Sequence, residues 1–283
     1  MDESGAARWL EGVTEVFGVD FSGAREAGEN MWVARVGVGA KRLQLLSLEN
    51  MGEVAGTTHR PAVMGKLVEM ILATRDALWG MDFPFALPVE LFPTGTTFEE
   101  QLEFVAGFEG GAKELGLECV RRCQAATGRM HIRRQTDTES KTPFDCYHYR
   151  IVHQTFHGMR DVLGPLMQDN RTAIWPVRPV RSPDRVVVEA CPSSTLKRLG
   201  MPHRNYKQVR APLSGKTLGV RREMYSSLRE IVTVPTEMQR TISRNPGGDA
   251  LDAVVAAVGA WECAREVGEG RGERYDLEGR VYF

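Results

Sequence analysis

No apolar run in the sequence approaches the roughly 18 residues that span a bilayer, and the longest stretch, between Asp252 and Glu262, suits a buried helix. The opening MDESGAARWL lacks both the basic and the apolar region of a secretion signal, so a cytoplasmic protein with no membrane partner is expected. Cysteine is sparse. Five residues, an odd number at irregular positions, argue against a disulfide framework and for a reducing compartment. No G-x-S-x-G nucleophile elbow, internal repeat or low-complexity segment occurs. Net charge is nearly absent too, with 36 Lys+Arg against 37 Asp+Glu. What is present is 283 residues, 42 % of them hydrophobic, which excludes intrinsic disorder and allows a sizeable core; we expect one domain over 1–283.

The charge balance is a cancellation. Residues 1–118 carry 9 basic and 19 acidic side chains, and the remainder carries 27 and 18. Between Ala190 and Arg222 stand Lys197, Arg198, Arg204, Lys207, Arg210, Lys216, Arg221 and Arg222, with no Asp or Glu among them. Such a footprint suits a phosphate-bearing partner, although a solvated basic loop has the same composition.

Periodicity predicts strands at Val16–Val19, Met31–Val38 and Leu43–Leu48, the last two joined by a short turn and hence antiparallel. A helix is expected over Pro61–Thr74 and a strand over Ala77–Met81. Helical spacing runs from Glu99 to Met167, broken by a polar loop from His131 to Phe144. A strand at Arg185–Val188, a short helix at Ser193–Leu199, a helix opened by Asn245-Pro-Gly-Gly-Asp249 and an edge strand in the final RVYF complete the reading.

Three acids share one local context: Asp20 after VFGV, Asp82 after LWGM and Glu189 after RVVV, each followed by a breaker. An apolar strand that ends in an acid places it at the carboxyl edge of a sheet, where open α/β folds hold ligands. Asp249 and Asp252, three apart, share one face near a helix start. Taken singly, Asp249 and Asp252 read as helix caps, Asp20 as an Asx-turn and Glu189 as the partner of an arginine. Converged, carboxylates repel, and a hard divalent cation, Mg²⁺ or Mn²⁺, is the natural counter-charge.

The succession VFGVDFSGA, LWGMDFPFALP, VVVEACPSSTLKRLG, GDALDAVVAAVGAW and EGRVYF resembles the family catalogued as domain of unknown function 429, predicted nucleases of the RNase H-like superfamily. The resemblance runs from about Val16 to Phe283, with 98–184 its weakest part. It implies an α/β fold: an RNase H-like mixed sheet with three antiparallel strands, helices on both faces and a helical insertion at about 99–184. The superfamily's first-strand acid falls on Asp20, its central-strand acid on Asp82 and its last-helix acid on Asp249 or Asp252; Glu189 has no standard counterpart. The activity implied is metal-dependent phosphodiester hydrolysis on nucleic acid or another phosphate ester. Asp20, Asp82, Glu189, Asp249 and Asp252 would be the catalytic acids and Asp20, Asp82, Asp249 and Asp252 the metal ligands, with Arg133, Arg134, Lys197, Arg198, Arg204 and Lys207 on flanking phosphates. Junction-cutting relatives are dimers, which leaves a homodimer open.

Two other readings compete. VDFSGA also resembles the strand-Asp-turn of the actin and sugar-kinase nucleotide-binding proteins, and the same fold serves non-catalytic modules that bind nucleic acid or protein. Weaker constellations carry less. Cys146, His148, His153 and His157 lack a completing zinc ligand, Cys119 and Cys123 read as buried thiols, and Gly215-Lys-Thr reads as a turn. Trp79 and Trp175 read as core, and Tyr206 as an aromatic able to stack on a base.

Overall fold

The computed structural model describes residues 8–267 and 271–283. Its first four strands are β1 (Glu15–Asp20), β2 (Trp32–Gly37), β3 (Leu43–Asn50) and β4 (Ala77–Met81). Between β3 and β4 lie α1 (Met51–Ala55) and α2 (Arg60–Leu72). Then come α3 (Phe98–Ala106), α4 (Ala112–Thr127), α5 (Gln135–Glu139), α6 (Val152–His157) and α7 (Gly164–Leu166), the last two joined by a π-turn at Gly158–Leu163. Strands β5 (Thr172–Trp175) and β6 (Arg185–Ala190) precede α8 (Pro192–Arg198) and α9 (Gly215–Leu228). The chain continues through β7 (Val232–Thr233), α10 (Thr236–Arg244), α11 (Asp249–Val267), α12 (Tyr275–Glu278) and β8 (Val281–Tyr282).

These elements form an α/β fold around one mixed sheet of order β5-β6-β4-β1-β2-β3-β7, with β8 also paired to β6. Neighbours β1, β2 and β3 are antiparallel, and every other pairing is parallel. The expected strands are present to within a residue or two at most ends. The segment 99–184, expected to be helical, also contributes strand β5, and its polar loop carries α5.

Strand alternation splits the interior into two cores. Phe17, Val19, Trp79, Met81 and Val187 pack with Val63, Leu67 and Ile71 of α2 and with the inserted helices. Val16, Leu78, Val186 and Val188 face the other way, against Val254, Ala257 and Val258 of α11 and Leu196 of α8. Helices therefore cover both faces.

Helix α11 lies unusually close to the sheet because Gly18 and Gly80, registered side by side on β1 and β4, have no side chain to hold it off. A Cβ on Gly18 would stand 2.0 Å from the Ala253 carbonyl oxygen, and one on Gly80 would stand 2.8 Å from the Ala260 methyl. Small residues on both surfaces thus set the height of the helix above the sheet.

Candidate functional site

The parity that turns Val16 and Gly18 toward α11 also turns Asp20 toward it, and Leu78 and Gly80 do the same for Asp82. Asp82 is fixed beside Asp20 by its own backbone N–H, which donates to the Val19 carbonyl at 3.0 Å. From above, Asp249 and Asp252 come down from the first turns of α11. The expected capping role belongs to neither of them. The Asn245 side-chain oxygen accepts from the Asp249 and Ala250 N–H groups at 2.8 and 3.4 Å, which leaves both carboxylates free for other work. Gly248, at φ +83°, makes the turn into the helix.

The surroundings are dry. Asp20 is 8 % and Asp252 2 % exposed, while Asp82 and Asp249 are half-buried. Burial first, then the like charges of Asp252, Asp249 and Asp82, pushes the Asp20 carboxyl well above the usual carboxylate range, against the pull of Lys207. Burial and the neighbouring Asp252 and Glu189 push Asp82 up to about 7, again opposed by Lys207. Asp249 is raised by burial and Asp252, although Lys207 and Arg221 pull the other way. The nearest relief is the Lys207 ammonium, which sits directly on Asp252; Asp252 also accepts the Tyr206 hydroxyl at 2.9 and 3.2 Å. Lys207, whose burial alone would lower it, is held protonated by Asp252 and Asp20.

A cavity of about 420 Å³ opens beside Asp82 and Asp252, bordered also by Lys207, Arg204, His203 and Gln154. Among the described residues no set of three or more His, Cys, Asp or Glu side chains is already spaced to hold a metal ion. Of the four aspartates, Asp82 and Asp252 line this cavity, and their carboxylates offer a cation oxygen ligands; Asp137 and Glu189 also line it, but their carboxylates are taken up by Arg134.

Glu189 does not join the aspartates, which corrects its expected place among the catalytic acids. It follows Val187 on the opposite face of β6, so its carboxylate meets Arg134 instead of the aspartates: Arg134 donates to it at 2.8 and 2.5 Å, and the Phe85 N–H donates at 2.9 Å. Arg134 also grips Asp137 at 3.0 and 2.8 Å and the Glu278 carbonyl at 3.0 Å. It is fully buried, which corrects its assignment to a substrate phosphate. Burial raises Glu189 in spite of this arginine.

The other expected cations disperse. Arg133 donates to the Thr142 carbonyl at 2.8 Å and lines a separate cavity, Lys197 donates to the Lys141 carbonyl at 2.6 Å, and Arg198 pairs with Glu266 at 2.8 Å. Only Arg204 and Lys207 of the six border the acidic cavity. Tyr206 is buried against Asp252 and offers no free face for a base. Gly215-Lys-Thr opens α9, capped by Ser214, in place of the expected turn. His157 binds Asp161 at 2.7 Å, and the five cysteines are buried free thiols. His203, which also borders the acidic cavity, belongs to no motif in the sequence; its place inside the basic stretch is its one signal.

Among the described residues no helix is long and apolar enough to cross a membrane. Compared with known proteins, the chain matches no family model, no curated protein and no solved structure.

Proposed function

We propose that the chain is a divalent-metal-dependent phosphodiesterase of RNase H-like fold, a nuclease acting through Asp20, Asp82, Asp249 and Asp252. One observation carries this reading: four aspartates from three separate elements are drawn into poorly hydrated surroundings at one sheet edge, against their mutual repulsion. A cluster whose only purpose was stability would do better with neutral side chains. The run β3-β2-β1-β4-β6, antiparallel in its first three members and carrying acids at the ends of β1 and β4, agrees with the RNase H-like arrangement.

The donor set fits Mg²⁺ or Mn²⁺, being oxygen only and bearing more negative charge than one lysine offsets. Such ions, when bound, acidify a water to a nucleophile at neutral pH and offset charge on the leaving oxygen. The chain's own residues supply the rest. Asp20, which like Asp252 is in electrostatic reach of the other three, would be the shared ligand. Asp82, pushed up to about 7, would hold a bound cation in its deprotonated form. Arg204 and His203, at the rim of the cavity, meet the phosphate oxygens.

Purified protein with Mg²⁺ or Mn²⁺ is expected to cut at least one member of a panel of single-stranded, duplex, hybrid and branched nucleic acids. Asp20→Asn and Asp252→Asn should each lower the rate by at least about 100-fold. Absence of cleavage across the panel, together with no calorimetric binding of Mn²⁺, overturns the reading; ATP binding without cleavage would move it to the actin and sugar-kinase group.

A further inference from the structure

Helices α9 and α10 lean together over a second cavity of about 600 Å³ whose charged lining is entirely basic: Arg221, Arg222, Arg240 and Arg244, with Gln239 and Ser243 between them. Arg240 and Arg244 are four apart on α10 and so stack on one face, where like charges repel by some tenths of a kcal/mol. Arg222 faces them from α9. All three are exposed, and among the described residues none has a carboxylate at ion-pair distance. Glu223 and Glu237 stand on the same two helices but do not line the cleft. An isolated exposed arginine needs no explanation; three converging on one concave surface with no acid do, and the planar fork of arginine matches a phosphate in two-point contact.

Arg221 shows where the cleft leads. Its buried guanidinium is taken up by backbone, donating to the carbonyls of Tyr206, Ser243, Asn245 and Pro246 at 2.7, 3.1, 2.5 and 2.8 Å. It is therefore a wall, and the far side of that wall is the acidic site. A Cβ on Gly248 would lie 3.3 Å from Arg221 and 3.4 Å from Lys207. One side chain separates the cleft from the loop that carries Lys207 and from the start of α11.

We propose that the α9–α10 cleft binds the phosphodiester backbone of a nucleic-acid strand through Arg222, Arg240 and Arg244, continuing the path of a strand whose reacting phosphate lies over the aspartates. The substrate is then a polymer and not a small phosphate ester. The placement of the reacting phosphate rests on the phosphodiesterase reading; the binding of the backbone does not.

The two are separated by measuring binding without metal. Fluorescence anisotropy with labelled DNA and RNA strands of roughly 30 nucleotides, in EDTA over a salt series, compares the full chain with R222Q/R240Q/R244Q. Loss of three contacts should weaken binding by at least about tenfold and flatten the dependence of log K on log salt by about 2. Arg244→Glu alone should act in the same direction, and these exposed positions leave the fold intact by circular dichroism. Mn²⁺ binding and turnover of bis-p-nitrophenyl phosphate should match the parent. Unchanged affinity and slope in the triple variant overturn the proposal, as does equal competition by poly-glutamate, which would assign the cleft to an acidic protein. If binding depends on the cleft but no metal supports cleavage, the cleft stands and the phosphodiesterase reading falls.

Discussion

In metal-free protein, replacing Asp82 by Asn should shift stability increasingly in favour of the variant as pH rises. Burial, then Asp252 and Glu189, lift the Asp82 carboxyl from 3.8 to about 7. The folded state therefore keeps a proton that the unfolded chain has released, so stability falls as pH rises from about 4, and the full cost is present above about 7. At about 1.4 kcal/mol per pH unit that cost is about 4 kcal/mol, less whatever solvation a half-buried side chain retains. The amide that replaces the carboxylate must itself be desolvated, at about 1–2 kcal/mol, which leaves a net gain of roughly 2 kcal/mol. At about 2 °C per kcal/mol the midpoint should rise by roughly 4 °C at about pH 8 and fall a few degrees below the parent's near pH 4, where the desolvation cost of the amide alone remains. Thermal unfolding followed by circular dichroism in EDTA, from about pH 4 to about pH 8, reads this directly. Mg²⁺ at about 100 times its Kd should then reverse the ranking, because it would stabilise the parent by about 2.7 kcal/mol and the variant by less. A difference that does not change with pH, or a variant less stable than the parent at the alkaline end, would refute the argument that these acids are held together at a cost to the fold.

Two further outcomes follow from groups around the site. Arg134→Met removes the counter-charge of two buried carboxylates, Asp137 and Glu189, and should cost about 3–5 kcal/mol in urea unfolding, part of which Glu189→Gln in the same chain recovers; a loss below about 1 kcal/mol would show that the network is not isolated from water. Gly18→Ala drives a methyl into the Ala253 carbonyl and the Ala257 backbone nitrogen, so α11 must rise. We expect a loss of about 1–3 kcal/mol with weaker Mn²⁺ binding by calorimetry, and unchanged values for both would contradict the close contact.

The parts of this fold that announce themselves in the sequence are those with a long or clean period. Strands β1 to β4, helix α2 and the alanine-rich α11 carry enough apolar residues at fixed spacing to be placed within a few positions. Strand β5, four fully buried residues, and β7, two residues at an edge, are too short for any period to register. Asp20 and Asp82 were legible because a strand end is a local feature. Glu189 has the same local signature, yet pairing it opposite Met81 sets its parity, and register is a property of two strands that one strand does not disclose. For the same reason a polar loop does not disclose that Arg134 is buried: Asp137 is three residues on, but Glu189 and the Glu278 carbonyl lie 55 and 144 residues further on. The basic stretch read as one footprint, whereas folding divides it among Asp252, Glu266, backbone carbonyls and two separate cavities.

The glycine pair beneath α11 also has a consequence in time. Strands β1 to β4 are complete by Met81 and can pair into their sheet long before Asp249 has been synthesised. Through that interval Asp20 and Asp82 are wetted carboxylates of ordinary acidity, with nothing above them. They become a crowded cluster only when α11 settles onto Gly18 and Gly80 and brings Asp249 and Asp252 down with it. The electrostatic opposition to the fold is thereby deferred to one late docking step. A cation in the surrounding solution would speed that step and leave the formation of the strands untouched.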